Sequence, residues 1–98
     1  MNPSASQRKY LRGLAHPLKP MVMVGHEGVT DPVLAEVERA LEDHELIKIR
    51  FNDFKEEKKQ LCDAIIARSG AVMAGMIGHV AILYRPRRDP SKRRIRLP

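Results

Sequence analysis

The stretch that decides the fold is PMVMVGHEGVTDP, residues 20–32. Four apolar residues, 21–24, stand between a proline and a glycine, a pattern typical of a short strand that is buried on both faces. Residues 25–28 follow as a GXXG loop, and Asp31 (or Thr30) then caps a helix with Pro32 at its first position. The expected apolar stripe of this helix is Val33, Leu34, Val37, Ala40 and Leu41. A strand, a glycine loop and a capped helix in direct succession indicate an α/β fold.

The sequence on the N-terminal side predicts a helix over residues 6–16, with Ser6 as its N-cap. Its apolar side is expected to carry Tyr10, Leu11, Leu14 and Ala15, and Tyr10 is expected to lie in the core. The residue before Pro17 ends this helix, because a residue that precedes proline avoids the α conformation.

The sequence on the C-terminal side continues the alternation of helices and strands. Residues 46–51 alternate apolar and basic side chains, which predicts a strand with one wetter face. Asn52 or Asp53 is expected to cap a third helix, which has Phe54 on its inner side and ends at Gly70. Strands over 71–77 and 80–84, joined by a two-residue turn, predict an antiparallel hairpin. The predicted order is α-β-α-β-α-β-β, which gives a two-layer α/β sandwich with a mixed four-stranded sheet.

Charge is segregated along the 98 residues, which carry a formal net charge of +6. Residues 1–24 hold four basic side chains and no acidic one, and residues 84–98 hold seven basic side chains against Asp89 alone. The segment between them is acidic. If the fold brings the two ends together, they form one basic surface that attracts a polyanion. We expect residues 87–98 to be a basic tail, disordered in the free protein; the alternative is a tail that serves solubility alone.

Several classes of function are disfavoured. The sequence has no apolar run of about 18 residues that could span a membrane and no signal peptide in residues 1–7. A single cysteine, Cys62, indicates a reducing compartment such as the cytoplasm. The histidines lack metal-ligand spacing, and no nucleotide-binding loop or nucleophile motif is present. We therefore expect a protein that is not an enzyme and that uses no metal, cofactor, small-molecule substrate or membrane.

The GXXG loop at residues 25–28 is the most specific feature. Amides at the N-terminus of a helix attract anions, and glycines let a phosphate approach the backbone. K-homology domains hold a nucleic-acid backbone with such a loop. The alternative is that both glycines only permit a tight turn. A second match, residues 75–78, lies in a strand that enters a hairpin, so we interpret it as structural.

The region from Gln7 to Pro86 resembles the CRM domain (chloroplast RNA splicing and ribosome maturation) in its stand-alone bacterial YhbY-type form. The similar segments are QRKYLRGLAHPLKPMVMVGHEGVT, VLAEVERALEDHELIKIRF and the closing ILYRP. The resemblance implies a fold similar to the C-terminal domain of translation initiation factor three. It also implies binding to RNA and association with precursors of the large ribosomal subunit.

The resemblance assigns the family's loop glycines to Gly25 and Gly28, and its basic first-helix positions to Arg8, Lys9, Arg12 and Lys19. This chain departs from the family pattern at Glu27, whose carboxylate would repel a phosphate. Either Glu27 points outward, or the loop contributes less to affinity than it does in relatives.

These observations predict a monomeric RNA-binding protein with one domain over residues 1–86 and a basic tail over 87–98, whose partner is rRNA in large-subunit precursors. Two alternatives remain: a general double-stranded nucleic-acid binder, and an adaptor that recruits a protein through the acidic face of the second helix. The expected RNA-binding residues are Arg8, Lys9, Arg12, Lys19, Gly25, His26, Gly28, Thr30, Arg85, Arg87 and Arg88.

Overall fold

The helices and strands follow one another in the predicted order in the computed structural model, which describes residues 2–98. The helices are α1 (Ala5–Ala15), α2 (Asp31–His44) and α3 (Lys58–Ser69). The strands are β1 (Val22–Val24), β2 (Leu46–Phe51), β3 (Val72–Ile77) and β4 (Val80–Tyr84), and a short 3-10 helix spans Pro90–Lys92. The α/β fold class and the order of its elements are confirmed.

The four strands form one mixed sheet in the order β1-β2-β4-β3. β1 runs parallel to β2, whereas β4 is antiparallel to both of its neighbours. β1 therefore lies at an edge, and the expectation that it is buried on both faces is wrong. Val22 and Val24 are buried, but Met23 between them is 48% exposed, because alternate side chains of a strand point to opposite faces.

Helices cover both faces of the sheet, so the expected two layers are corrected to three. On one face, Ile47, Ile49 and Phe51 of β2 share a core with residues of α2 and α3. On the other face, Leu46 of the same strand packs in a second core with Leu11 of α1. Adjacent residues of β2 thus enter different cores. The predicted order of elements was correct, but the sequence pattern did not indicate on which face α1 packs.

α1 begins earlier than predicted and presents a different side to the sheet. Ser4, not Ser6, is its N-cap, and a reciprocal pair of hydrogen bonds with Gln7 completes a capping box. Leu11 and Ala15 are buried as expected, but Tyr10 is 42% exposed and does not lie in the core. The sheet beneath α1 offers small residues, Ala74 and Gly75, and the aliphatic part of Arg12 lies against Gly75.

α3 begins later than predicted. Residues 52–57 form turns, and the helix starts at Lys58 with no side-chain cap at Glu57. The carboxylate of Asp53 accepts a hydrogen bond from the amide of Phe54, the next residue, at 2.8 Å, so it does not cap a helix. Phe54 adopts a φ of +53° and is partly exposed. The expected inward position of Phe54 is therefore wrong.

The apolar stripe of α2 and the end of α3 agree closely with the sequence predictions. Thr30 is the N-cap of α2, which places Pro32 at the second helical position and not the first. Its predicted apolar stripe faces the sheet, with Val37 and Leu41 fully buried. Gly70 ends α3 in the left-handed conformation at φ +72°, as expected for the residue that follows a helix.

The C-terminal segment is held by a buried carboxylate. Glu45, between α2 and β2, is completely buried. Its carboxylate accepts backbone hydrogen bonds from Arg87 at 2.9 Å, Arg94 at 2.8 Å and Ile95 at 3.2 Å. Ile95 and Leu97 then pack against the core beneath α1. The expectation of a disordered tail is therefore wrong, although the boundary between 1–86 and 87–98 stays a prediction.

The geometry at Glu45 favours its charged form. Burial alone would raise the pKa of this carboxyl, but the three backbone N–H donors outweigh burial and lower the pKa below 4.5. Glu45 also adopts a φ of +64°, where glycine would fit without strain. The carboxylate therefore stabilises a position that the backbone alone would not favour.

Replacing Glu45 with Gln should lower the free energy of unfolding by about 1–3 kcal/mol at neutral pH, because an amide NH₂ would face a backbone donor. A group whose folded-state pKa is depressed contributes stability above its unfolded pKa and loses it as the pH falls through the folded value. The difference between wild type and E45Q should therefore shrink below pH 4.5. Urea denaturation at several pH values measures it, with E36Q on the exposed face of α2 as the matched control. A constant difference across this range would contradict the role of the carboxylate.

Deleting residues 93–98 should also destabilise the fold. The deletion removes two of the N–H donors to Glu45 and exposes the core beneath α1, where Ile95 and Leu97 pack. Each fully buried aliphatic side chain contributes about 1.5–3 kcal/mol, so these two half-buried residues should contribute roughly 2 kcal/mol together. Thermal unfolding followed by circular dichroism would show a clear fall in Tm. An unchanged Tm would instead support the expectation that residues 87–98 are disordered.

Candidate nucleic-acid interface

The GXXG loop lies at the carboxyl end of β1, next to the turns that follow β2. Gly28 donates a backbone hydrogen bond to the carbonyl of Gly25 at 3.0 Å, which closes the loop into a turn. His26 and Glu27 at its tip are exposed, whereas Gly28 is buried with φ +74°. The carboxylate of Glu27 therefore lies at the exposed tip of the loop.

The N-terminus of α2 offers fewer free amides than the sequence suggested. Pro32 carries no amide hydrogen, and the amide of Val33 donates to the hydroxyl of Thr30 at 3.3 Å. Asp31 also places a carboxylate in the first turn, where it already interacts favourably with the helix dipole. An anion at this position would have to bind the amides of the loop itself more than those of the helix.

A second cluster adjoins the glycine loop and was not predicted. A Cβ atom added to Gly28 would lie 3.7 Å from the ring of Phe54. In the same region, Lys58 Nζ donates to the carbonyl of Gly78 at 2.6 Å and lies 3.1 Å from Nδ1 of His79. Nothing in the sequence indicated this cluster, because it joins a loop, the start of α3 and a hairpin turn.

Three basic side chains lie close enough to His79 to affect its pKa. Desolvation lowers the pKa of His79, and the nearby charges of Lys58, Lys55 and Arg50 lower it further. The imidazole is therefore neutral near pH 7, and the cations around it carry the local charge.

The predicted basic residues fall into two groups. Four of them form contacts within the fold and are only partly exposed: Arg8, Arg12, Arg85 and Arg87. Lys9, Lys19 and Arg88 are exposed, and their side chains form no hydrogen bond or ion pair with any residue in 2–98. The second group is available to a polyanion without breaking a structural contact.

The contacts of the first group are specific. Arg8 and Arg12 donate to the carbonyls of Pro3 and Ala74 at 2.8 and 3.0 Å. Arg85 bridges Glu38 and Glu42 at 2.7 and 3.0 Å, and its side chain is only 13% exposed.

Arg87 donates to the backbone carbonyls of Glu42, Asp43 and Lys92. These contacts hold Arg87 at the C-terminal end of α2. The glycine loop lies at the opposite end of this 14-residue helix, roughly 20 Å away at 1.5 Å per residue. Arg87 and the loop therefore do not form one compact site.

The two basic ends of the chain do meet on one face of the sheet. α1 and residues 95–97 share the second core, and the side-chain amide of Gln7 donates to the carbonyl of Pro98 at 3.0 Å. Tyr10 and Leu14 are exposed on the outer side of α1, next to Lys9 and Pro98. This face therefore combines free cations with an accessible aromatic ring.

Residues 2–98 offer few side chains that are arranged for catalysis. No group of three or more His, Cys, Asp or Glu side chains in this range is arranged to hold a metal ion. Cys62 is buried, and burial together with Asp63 raises the pKa of its thiol to about 11, so the thiolate is scarce near neutral pH. No helix within residues 2–98 is long and apolar enough to cross a membrane.

The profile of the CRS1/YhbY (CRM) domain matches residues 4–85. The chain belongs to this family. The match spans α1, the glycine loop and all four strands, and so confirms the resemblance seen in the sequence. The C-terminal segment that Glu45 holds lies beyond the matched residues.

Relatives that are named as RNA-binding proteins match nearly the whole chain. An RNA-binding protein of Haemophilus influenzae is 45% identical over 96 residues, which span 97% of this chain and 94% of the relative. A probable RNA-binding protein of Pseudomonas aeruginosa is 39% identical over 87 residues, 88% of this chain and 84% of the relative. The solution structure of a Staphylococcus aureus protein, described as a candidate RNA-binding protein, superposes with a TM-score of 0.80 at 28% identity and covers 99% of this chain and 100% of that one.

The two glycines of the GXXG loop should respond differently to alanine. Gly28 has φ +74°, so G28A should cost about 1–2 kcal/mol of stability. Gly25 has no positive φ and open space around its Cβ position, so G25A should leave stability nearly unchanged. Chemical denaturation of both variants measures this difference. Equal destabilisation would show that Gly25 is also required by the turn.

Proposed function

We propose that this protein binds RNA through the face formed by α1, the glycine loop and the C-terminal segment. The observation that carries the proposal is the meeting of the two basic ends of the chain on one face of the sheet. Free cations, among them Lys9, Lys19 and Arg88, are exposed and unpaired within residues 2–98. Membership of the CRM family and the RNA-binding relatives support the same ligand.

We further propose that the RNA is rRNA in precursors of the large ribosomal subunit, and that the protein assists assembly as a cytoplasmic monomer without catalysing a reaction. Contacts with phosphates supply affinity but do not by themselves distinguish one base sequence from another. A face built mainly from lysine and arginine suits structured RNA, whose phosphates are closely spaced. The glycine loop adds backbone amides at one border of this face.

The alternative of a protein-recruiting adaptor is weakened by the ion pairs of α2. Glu38 and Glu42, on its acidic face, already bind Arg85. About half of each glutamate side chain stays exposed, but Arg85 offsets one of their two negative charges within the fold.

A salt titration tests RNA binding and the division between free and structural cations. The double variant K9Q/K19Q should weaken binding to structured rRNA fragments and reduce the slope of log K against log salt by roughly two, or about one for each phosphate that a lysine no longer neutralises. Fluorescence anisotropy at several salt concentrations measures the slope. R39Q, on the exposed side of α2, is the matched control and should leave the slope unchanged. An unchanged slope in K9Q/K19Q would place the RNA elsewhere.

The G25A variant extends the same titration to the glycine loop. Weaker RNA binding at unchanged stability supports a phosphate contact there, and unchanged affinity removes the loop from the interface. The ribosomal role needs a separate measurement: sedimentation of cell extracts through a sucrose gradient. We expect the protein to migrate with large-subunit precursors and to leave them after nuclease treatment, whereas an adaptor bound through protein would stay.

A further inference from the structure

The face of the sheet that carries α1 is built from three successive rows of paired residues. Strand register defines each row, because residues paired across neighbouring strands point to the same face. The first row contains Leu46, Tyr84 and Val72, and the second contains Lys48, Ile82 and Gly75. The third row crosses all four strands and contains Met23, Arg50, Val80 and Ile77.

The first two rows are covered by α1 and by the residues that follow it. Leu11 and Ala15 pack on the first row together with the C-terminal segment. In the second row, Lys48 Nζ donates to the carbonyls of His16 and Leu18, at 3.3 and 2.9 Å.

The edge of this cover is formed by Arg12. A Cβ added to Gly75 would lie only 2.6 Å from Cδ of Arg12, so the arginine rests directly on the glycine backbone.

The third row, which we name the open row, has no cover within residues 2–98. Ile77 is 64% exposed, Met23 is 48% exposed, and the Arg50 side chain between them is exposed as well. Isolated exposed apolar residues are common, but these lie in one register across the sheet. The row thus places an exposed arginine and the half-buried Val80 between two exposed apolar side chains.

The charge around the open row favours an anionic ligand. Arg50 forms no ion pair with a carboxylate in residues 2–98. Lys55, Lys58 and Arg50 lie close enough together to act jointly on His79, which follows Ile77 by two residues. At the opposite edge of the sheet, Met23 stands two residues before Gly25 of the glycine loop.

We propose that the open row binds unpaired nucleotides of the RNA, an inference that rests on the function proposed above. The row runs from the glycine loop, at the β1 edge of the sheet, to the β3 edge. At the β3 edge, the side chain of Arg12 lies on Gly75. Bases of single-stranded RNA stack on aromatic rings or on the plane of an arginine guanidinium, and apolar side chains beside that plane bury more of the base from water. Met23, Ile77 and Arg50 provide such a surface, and the guanidinium can also pair with a phosphate. A duplex hides the faces of its bases, so its affinity should depend little on the row.

The experiment compares a short fluorescent single-stranded RNA with a duplex of the same length. The double variant M23T/I77T removes apolar surface while keeping residues that favour strands. It should bind the single strand about tenfold more weakly, because about 50 Å² less apolar surface would be buried against the bases, with an unchanged salt slope and nearly unchanged affinity for the duplex. R50Q should weaken single-strand binding and reduce the salt slope by about 0.7, one phosphate contact. R39Q is its matched control.

Thermal unfolding checks that each variant is folded, which we expect because all three side chains are exposed. Equal weakening for single strand and duplex, or no weakening for either, would overturn the proposal. If wild type and M23T/I77T both bind the two RNAs with the same affinity and the same salt dependence, this inference is wrong but the proposed function is not contradicted. Wild-type protein that binds neither RNA would remove both. If wild type sediments as a dimer that M23T/I77T dissociates, the row joins two copies of the chain and the proposal fails.

Discussion

The architecture depends on one buried carboxylate, that of Glu45. This residue joins the end of α2 to the start of the central strand β2, and its oxygens hold the chain after β4. That contact directs the chain so that Ile95 and Leu97 reach the core beneath α1, where burial of their side chains adds to the stability of the segment. A charge that is removed from water is tolerated only when donors surround it. The surrounding donors are backbone amides, so the interaction fixes the path of the chain and not merely the position of a side chain.

This constraint also explains why so many basic residues near the C-terminus are already engaged within the fold. Once the chain passes Glu45, Arg85 and Arg87 lie against the acidic face and the last carbonyls of α2. Their charges stabilise the end of that helix. The residues that remain exposed, such as Arg88 and Arg96, project from a backbone that is already ordered. Binding through them would therefore require little additional ordering.

Local sequence patterns predicted well those elements whose signals are local. The stripe of α2, the glycine that ends α3 and the hairpin between β3 and β4 all follow from spacing and turn chemistry. Prediction failed where the decisive partner is distant in the sequence. Tyr10 and Leu14 looked apolar enough to face a core, yet the small residues Ala74 and Gly75 let Arg12 lie on the sheet instead. For the same reason the sequence could not distinguish the arginines that form contacts within the fold from those that stay exposed, since both kinds lie in similar stretches of basic sequence.

The edges of the sheet have a consequence for how the protein meets other proteins. An exposed strand edge presents unpaired amides and carbonyls that can recruit a strand from another chain. Here one edge, β1, is only three residues long and follows closely on Pro20. The other edge, β3, is interrupted by an irregularity in its pairing between Met73 and Gly75, which locally disrupts the ladder. Both edges are thus poor templates for strand addition from another chain.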